Sequence, residues 1–239
     1  MNRFTKMKVV NNIRRRGRKN YQVSSRISTE PKLDLWAERF EKSDKILVIA
    51  CGALAKEITA LIRMNNWTHL QLRYLPAKLH NEPHNIPQNI KKNLINAQNK
   101  FSQIFIGYAD CGTGGKIDNL LEEFGVQRLP GAHCYEFFSS NQTFSKMLEE
   151  EPGSFFLTDF LVKSFEKLIW QGLKINNHPE LLNIYFRHYK RLVYLAQTES
   201  KELQTQAQEI AKRLGLSYSY RFNGYGGLSP ALSDLAVTA

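Results

Sequence analysis

Three cysteines, Cys51, Cys111 and Cys134, carry the most informative chemical pattern in this 239-residue chain. Each follows shortly after an apolar run that is typical of a buried strand. The carboxyl ends of parallel strands meet at one edge of a sheet, so we expect the three thiols to face one crevice. Because converging thiolates repel each other, the pattern predicts a bound cation, either zinc with a fourth ligand or an iron–sulfur cluster with an open iron. The alternative is three buried cysteines that act as small apolar side chains.

Two histidines are candidates for the fourth metal ligand, His80 and His133. His80 follows the second predicted strand, so it is expected at the same edge of the sheet, and His133 adjoins Cys134. Either histidine could instead be a hydrogen-bond partner within its loop. His80 and His84 are four residues apart, but Pro83 between them excludes the helix interior that a zinc-protease motif requires.

The glycine-rich turn after the third predicted strand contains Gly112, Gly114 and Gly115. It fails the P-loop pattern, because Asp110 stands where that motif has glycine and Ile117 where it has serine or threonine. Its backbone N–H groups could still bind an anionic part of a cofactor, and the three glycines are predicted to do so. A second glycine-rich turn, residues 224–227, is expected either to line the same crevice or to be a simple exit loop.

Asp110 and Glu136 are the candidate catalytic carboxylates, because each lies next to or near a candidate metal ligand. Asp110 could orient a ligand or act as a base, and its alternative role is to cap a helix N-terminus. Glu136 could support a metal ligand through a hydrogen bond, or it could be an acid in the first turn of a helix.

The apolar segments alternate in a way that defines the expected architecture. Strand and helix alternate three times, a helical stretch follows at about 140–190, and a strand–helix–strand unit ends near residue 222. This order predicts an α/β fold with a mainly parallel, Rossmann-like sheet, helices on both faces and a helical insertion. Residues 31–239 are expected to form a single domain, in which 140–190 is a helical cap and the apolar run 155–173 is helical.

The formal net charge of +11 is concentrated at the amino terminus. Residues 1–30 contain nine lysines or arginines and one acid, whereas the rest of the chain is nearly balanced. We therefore expect a basic, disordered tail, and we do not expect the body to bind nucleic acid. No apolar run approaches the length of a membrane span, so no membrane association is expected. The odd number of cysteines without a secretion signal indicates a reducing, cytoplasmic location.

Four sequence motifs resemble domain of unknown function 1638, a bacterial and archaeal family without an assigned reaction. The resemblance covers about residues 45–230, outside the basic tail. It rests on Ala50-Cys51-Gly52-Ala53-Leu54 with Glu57, Leu79-His80-Asn81-x-Pro83, Tyr108-x-Asp110-Cys111-Gly112-Thr113-Gly114-Gly115 and His133-Cys134-Tyr135-Glu136-Phe137-Phe138. Family members often occur near genes for corrinoid-dependent methyltransferases. The resemblance therefore implies a small-molecule substrate and a corrinoid protein or methyltransferase as partner.

These observations favour a zinc–thiolate enzyme of one-carbon or methylated-compound metabolism, with methyl transfer as the reaction considered first. Its expected ligands are Cys51, Cys111, Cys134 and either His80 or an open position. One alternative is an iron–sulfur or corrinoid-handling accessory protein without catalysis of its own. The other is a metal-free protein that binds a small ligand through its glycine turns.

Overall fold

The computed structural model describes residues 43–139 and 141–237. The basic tail predicted for residues 1–30 and the predicted domain start at residue 31 lie outside the described residues. In the described part of the chain, no helix has both the length and the apolar composition required to cross a membrane.

The first of two parallel sheets has four strands in the order β2-β1-β3-β4. Its strands are β1 (Ser43–Cys51), β2 (Leu70–Leu75), β3 (Phe101–Gly107) and β4 (Gln127–Arg128). Strand β1 is central, and its residues from Ile46 to Cys51 are completely buried. This position explains its continuous apolar sequence, because a central parallel strand is covered on both faces.

The helices of the first half are amphipathic and bury their apolar faces in the same core as the first sheet. They are α1 (Ala55–Met64), α2 (Ile86–Ala97) and α3 (Lys116–Phe124). The last helix, α8 (Leu228–Val237), also belongs to this core through Leu228, Leu232 and Leu235. The chain therefore returns to the first sheet after completing the second.

The strand order creates a switch point between β1 and β3. The chain passes from β1 to β2 at one side and then crosses to β3 at the other side of β1. Ala50 and Gly107 are paired at the carboxyl ends of these two strands. In open α/β sheets, ligands bind in the crevice outside the strand ends at such a switch point. Cys51 ends β1, and the turn that contains Cys111 follows β3.

The second sheet has three parallel strands in the order β5-β6-β7. The strands are β5 (Ser154–Thr158), β6 (Arg191–Ala196) and β7 (Ser217–Phe222). The helices around it are α4 (Asn141–Glu150), α5 (Asp159–Phe165), α6 (Glu180–Phe186) and α7 (Lys201–Leu214). This half has its own apolar cluster, in which side chains of β6 pack with those of α7.

The predicted α/β class with parallel, Rossmann-like strands and surrounding helices is confirmed, and the strands are divided between two sheets. One element prediction is wrong: the run 155–173, expected to be helical, begins in strand β5. Helix α5 starts only after Thr158, whose side chain accepts a hydrogen bond from the Leu161 amide at 3.4 Å. Strand β6 provides the hydrogen-bonding partner along β5, and aromatic residues such as Phe155 and Phe156 suit a strand.

Candidate metal centre

His80, Cys111 and Cys134 come together at the carboxyl edge of the first sheet. Each offers one ligand atom, and the three atoms all lie within 4.8 Å of one another. The two sulfur atoms of Cys111 and Cys134 are 3.1 Å apart. Two sulfur ligands of one tetrahedral zinc ion lie roughly 3.8 Å apart, because zinc–sulfur bonds are about 2.3 Å long. The three side chains therefore have the donor types of a zinc site and lie near enough to one another to approach a single ion.

Three separate loops bring these side chains together. His80 lies in the 3-10 turn Ala77–Asn81 after β2, and Cys111 lies in the glycine-rich turn after β3. Cys134 begins the 3-10 helix Cys134–Phe138, which follows β4. Since β2, β3 and β4 are parallel members of one sheet, their following loops emerge at the same edge.

Cys51 lies beside this group. Its sulfur is 3.7 Å from Nδ1 of His80 and accepts the Ala53 amide hydrogen bond at 3.3 Å. Nδ1 of His80 is also 3.2 Å from the Ala77 carbonyl oxygen. A carbonyl can only accept, so Nδ1 carries a proton, and in the neutral imidazole Nε2 is the nitrogen with a lone pair for a metal. The structure thus places Cys51 next to Nδ1 of the imidazole, and its predicted role as a metal ligand stays a prediction.

Two backbone hydrogen bonds join the loops that carry the two close thiols. The Asp110 amide donates to the Gly131 carbonyl at 3.1 Å, and the Cys111 amide donates to the Ala132 carbonyl at 2.9 Å. Cys111 itself has a φ angle of +50°, which is unusual for a residue with a Cβ atom. The surrounding hydrogen bonds hold this conformation, so the Cys111–Cys134 distance is fixed by the backbone as well as by the side chains.

The carboxylate of Asp110 holds the glycine-rich turn. It accepts hydrogen bonds from the Thr113 hydroxyl at 2.7 Å, the Gly114 amide at 3.1 Å and the Gly115 amide at 2.8 Å. Although partial burial opposes it, these bonds lower the pKa of Asp110. Gly112 and both following glycines have positive φ angles, which explains the glycines as turn residues. The assignment of Gly112, Gly114 and Gly115 to cofactor binding stays a prediction, and two of their amides already serve Asp110.

Glu136 holds the Cys134 loop in a similar way. Its Oε1 atom accepts hydrogen bonds from the amides of Ala132 at 2.9 Å and His133 at 3.0 Å. The His133 side chain accepts in return from the Glu136 backbone, which completes a capping box. Both predicted catalytic carboxylates thus position the backbone next to a candidate ligand, and a direct part in catalysis stays a prediction for each.

The pKa values of Cys111, Cys134 and His80 are shifted by their contacts with one another. Hydrogen bonding from Cys134 lowers the pKa of the Cys111 thiol well below its ordinary value, and His80 adds to this effect. The same pair of thiols, together with burial, raises the pKa of Cys134. Desolvation opposes protonation of His80, but its interactions with Cys111 and Cys51 raise the pKa of the imidazole to about 11. At neutral pH, the metal-free centre therefore has a Cys111 thiolate, a neutral Cys134 and a protonated His80.

This distribution predicts how the metal-free protein reacts with iodoacetamide. Only the thiolate reacts with iodoacetamide. The rate of Cys111 alkylation should therefore be half-maximal at a pH below about 8.5, the pKa of free cysteine, and it should be constant above neutral pH. Peptide mass spectrometry of samples alkylated between pH 5 and pH 9 gives the rate for this residue. Cys134→Ser is the control, because a weaker hydrogen bond should move the midpoint upward. A wild-type midpoint at or above 8.5 would contradict the assigned thiolate.

The three candidate ligands open on a cavity of about 510 Å³. The cavity lies between the loops of the first sheet and residues around β5 and α5 of the second half. Aromatic and aliphatic side chains form most of its wall, among them Phe144, Phe156 and Leu161. Small-molecule sites in proteins commonly have volumes of about 300–1,000 Å³ and mostly apolar walls. A group bound at Cys111 would therefore have direct access to a space large enough for a small organic molecule.

A comparison with known protein families identifies the family of this protein. The family described as protein of unknown function (DUF1638) matches residues 74–232. The chain belongs to the DUF1638 family. No curated protein matches the chain, and no solved structure matches it.

The family match contains three of the four predicted ligands of this DUF1638 protein. His80, Cys111 and Cys134 lie inside residues 74–232, as do Asp110 and Glu136. Cys51 precedes the matched region, which begins later than the start near residue 45 expected from the motifs. The group with ligand atoms in mutual proximity therefore falls entirely within the family match.

Two supporting residues of the DUF1638 centre were not recognised as site residues from the sequence. The ring of Tyr108 stacks on His80 with centroids 6.2 Å apart, and its buried hydroxyl has no hydrogen-bond partner among the described residues. Arg128 donates two hydrogen bonds to Asp118 at 2.6 and 2.9 Å and one to the Leu129 carbonyl at 2.7 Å. Tyr108 begins a motif that the sequence contains, but no local pattern indicates the role of Arg128 in shaping the loop that leads to Cys134.

Proposed function

We propose that this DUF1638 protein is a zinc-dependent enzyme that acts on a small molecule in one-carbon or methylated-compound metabolism. His80, Cys111 and Cys134 would hold the ion, and the fourth coordination position would face the cavity. One observation carries the proposal: residues whose ligand atoms lie within 4.8 Å of one another also line a cavity of about 510 Å³. Three protein ligands and an open position are the usual arrangement in catalytic zinc sites.

The donor set favours zinc over the iron–sulfur alternative. Two thiolates and an imidazole are typical zinc ligands. In a [4Fe–4S] cluster, each protein ligand binds a different iron atom, which requires wider spacing than a single shared ion does. The 3.1 Å separation of the Cys111 and Cys134 sulfur atoms is therefore better suited to one ion.

The protein would supply position, orientation and exclusion of water. Bound zinc would provide Lewis acidity that keeps a coordinating thiol or water deprotonated. The Ala77 carbonyl would orient the imidazole of His80 by accepting from Nδ1, as is usual for a metal-bound histidine. Asp110 and Glu136 would keep the two thiol loops rigid, and the apolar wall would limit the access of water to the reacting group.

The link to methylated compounds comes from the family resemblance. DUF1638 members often occur near genes for corrinoid-dependent methyltransferases, so a corrinoid protein or a methyltransferase is the proposed partner. A zinc–thiolate centre is chemically suited to such a role, because it can activate a thiol as a nucleophile at neutral pH.

Elemental analysis with a visible spectrum tests the proposal. The protein should be purified without a histidine tag and without oxygen. We expect close to one zinc per chain and a colourless sample. Iron with broad visible absorbance would instead indicate a cluster-containing accessory protein. A metal-free sample that takes up no zinc on reconstitution would refute the proposal and leave a metal-free ligand-binding protein.

A further inference from the structure

Part of the cavity wall is formed by aromatic rings. The rings of Tyr135 and Phe144 have centroids 6.3 Å apart, and those of Phe144 and Phe156 are 5.0 Å apart. Phe144 and Phe156 are almost completely buried, so their rings are fixed parts of the wall. Such rings provide a large contact area for an apolar group but no charge.

The cavity also offers no net counter-charge to an ionic substrate, because the charges of the Cys111 thiolate and the protonated His80 oppose each other. Among the described residues that line it, none is an aspartate, glutamate, lysine or arginine. A zinc ion bound by two thiolates and a neutral imidazole carries no net charge either. An ionised carboxylate or phosphate in this space would therefore lose its hydration without gaining a fixed counter-charge, which weakens binding.

Several polar groups of the wall already have partners within the protein. The side-chain amide of Asn81 donates to the Leu168 carbonyl at 2.9 Å. The hydroxyl of Thr158 accepts from the Leu161 amide at 3.4 Å. These bonds join parts of the wall to each other, so they leave fewer polar groups to select a polar substrate.

We infer that the substrate is an uncharged, mostly apolar thiol, whose sulfur reaches the metal centre and whose hydrocarbon part fills the aromatic cavity. This inference rests on the proposed function, because zinc in proteins binds thiolate sulfur and an open coordination position can therefore accept a thiol. The cavity selects the remainder of the molecule by excluding charge. Its volume of about 510 Å³ admits a chain or ring of several carbon atoms beyond the sulfur.

Cobalt-substituted protein provides the test, because a thiol that binds cobalt(II) changes its visible absorption. The probes are 1-hexanethiol, ethanethiol and 3-mercaptopropionate. We expect the half-saturating concentration to fall from ethanethiol to 1-hexanethiol by up to roughly fourfold per added methylene group. We expect 3-mercaptopropionate to bind at least tenfold more weakly than ethanethiol, although its chain is longer, because its carboxylate must be desolvated. Equal binding of these two thiols, or no effect of chain length, would overturn the inference.

A charge placed in the cavity should reverse this preference. Ile169 lines the cavity and is only partly buried. Ile169→Lys should therefore weaken the binding of 1-hexanethiol and strengthen the binding of 3-mercaptopropionate. Ile184→Lys is the matched control, because Ile184 is 60% exposed on α6 and is not a lining residue. If both variants behave like the wild type, the cavity does not bind the hydrocarbon part and the inference fails.

A metal-free experiment separates this inference from the proposed function. Thermal unfolding of metal-free protein is measured with 1-hexanol and with hexanoate, which have similar chains but differ in charge. Stabilisation by 1-hexanol alone supports an uncharged, apolar substrate even if the protein binds no cobalt, in which case only the metal proposal fails. Stabilisation by hexanoate equal to or greater than that by 1-hexanol overturns the inference whatever the metal content.

Discussion

Zinc binding should be lost when His80, Cys111 or Cys134 is replaced. We expect His80→Ala, Cys111→Ser and Cys134→Ser each to weaken zinc binding by more than about 100-fold, because loss of a mere hydrogen-bond partner of a ligand already costs about 10–100-fold. The physical reason is the grouping of their ligand atoms within 4.8 Å. Competition with a chromophoric chelator measures the affinity, and elemental analysis measures the zinc that remains after purification.

His84→Ala is the matched control for this set. His84 lies four residues after His80 in the same connection between β2 and α2, but it is exposed and outside the group of ligand atoms. Its replacement should leave zinc at the wild-type level. Full zinc content in His80→Ala, Cys111→Ser and Cys134→Ser would show that the ligand set is wrong.

Cys51→Ser distinguishes two kinds of zinc site. The Cys51 sulfur is 3.7 Å from Nδ1 of His80, the nitrogen that also lies 3.2 Å from the Ala77 carbonyl oxygen, and Cys51 is outside the group of ligand atoms. We therefore expect Cys51→Ser to retain zinc with an affinity lowered by less than about 100-fold, as for a group that supports a ligand. Complete loss of zinc would instead indicate four protein ligands and a closed, structural site.

The gathering of candidate ligands at one edge was predictable from the sequence, because it follows from the order of the elements. A βαβ pattern determines parallel strands, and parallel strands place the loops that follow them at one edge. Cys51 ends β1, and His80 and Cys111 follow β2 and β3, so their proximity required no knowledge of side-chain contacts. The α/β class could be predicted from the same pattern.

The distances between the candidate ligands and the aromatic part of the cavity wall could not be predicted from the order of the elements. The sequence does not indicate that Cys111 and Cys134 lie closer to each other than either lies to a third thiol, because loop backbone bonds such as Cys111 to Ala132 determine this. The wall contributed by Phe156 depends on a contact between halves of the chain that have separate sheets. The sequence does not distinguish strand β5 from a helix, because a short apolar run has no distinct hydrophobic periodicity.

The second glycine-rich turn, residues 224–227, packs against the 3-10 helix that begins at Cys134. A substitution that disturbs this packing is expected to have a large effect on stability. Gly226 packs against the backbone of Phe138, the last residue of the 3-10 helix that begins at Cys134. A Cβ atom at residue 226 would lie 2.5 Å from the carbonyl carbon and oxygen of Phe138. Since backbone atoms cannot move aside as a flexible side chain can, Gly226→Ala must displace either the turn or the 3-10 helix.

Gly224→Ala is the matched control, because it shares the backbone conformation but not the close contact. The φ angles are +56° at Gly224 and +46° at Gly226, and a Cβ atom at residue 224 would have no neighbour within 4 Å. Both alanines incur the cost of a left-handed conformation, about 1–2 kcal/mol, whereas Gly226→Ala should lower the free energy of unfolding by a further 1–3 kcal/mol or so. Urea denaturation of the metal-free variants measures the difference, and equal losses would contradict the packing of Gly226 on Phe138. Because displacement of the 3-10 helix would also move Cys134, Gly226→Ala should weaken zinc binding while Gly224→Ala should not, which connects the packing behind the centre with its capacity to hold a metal.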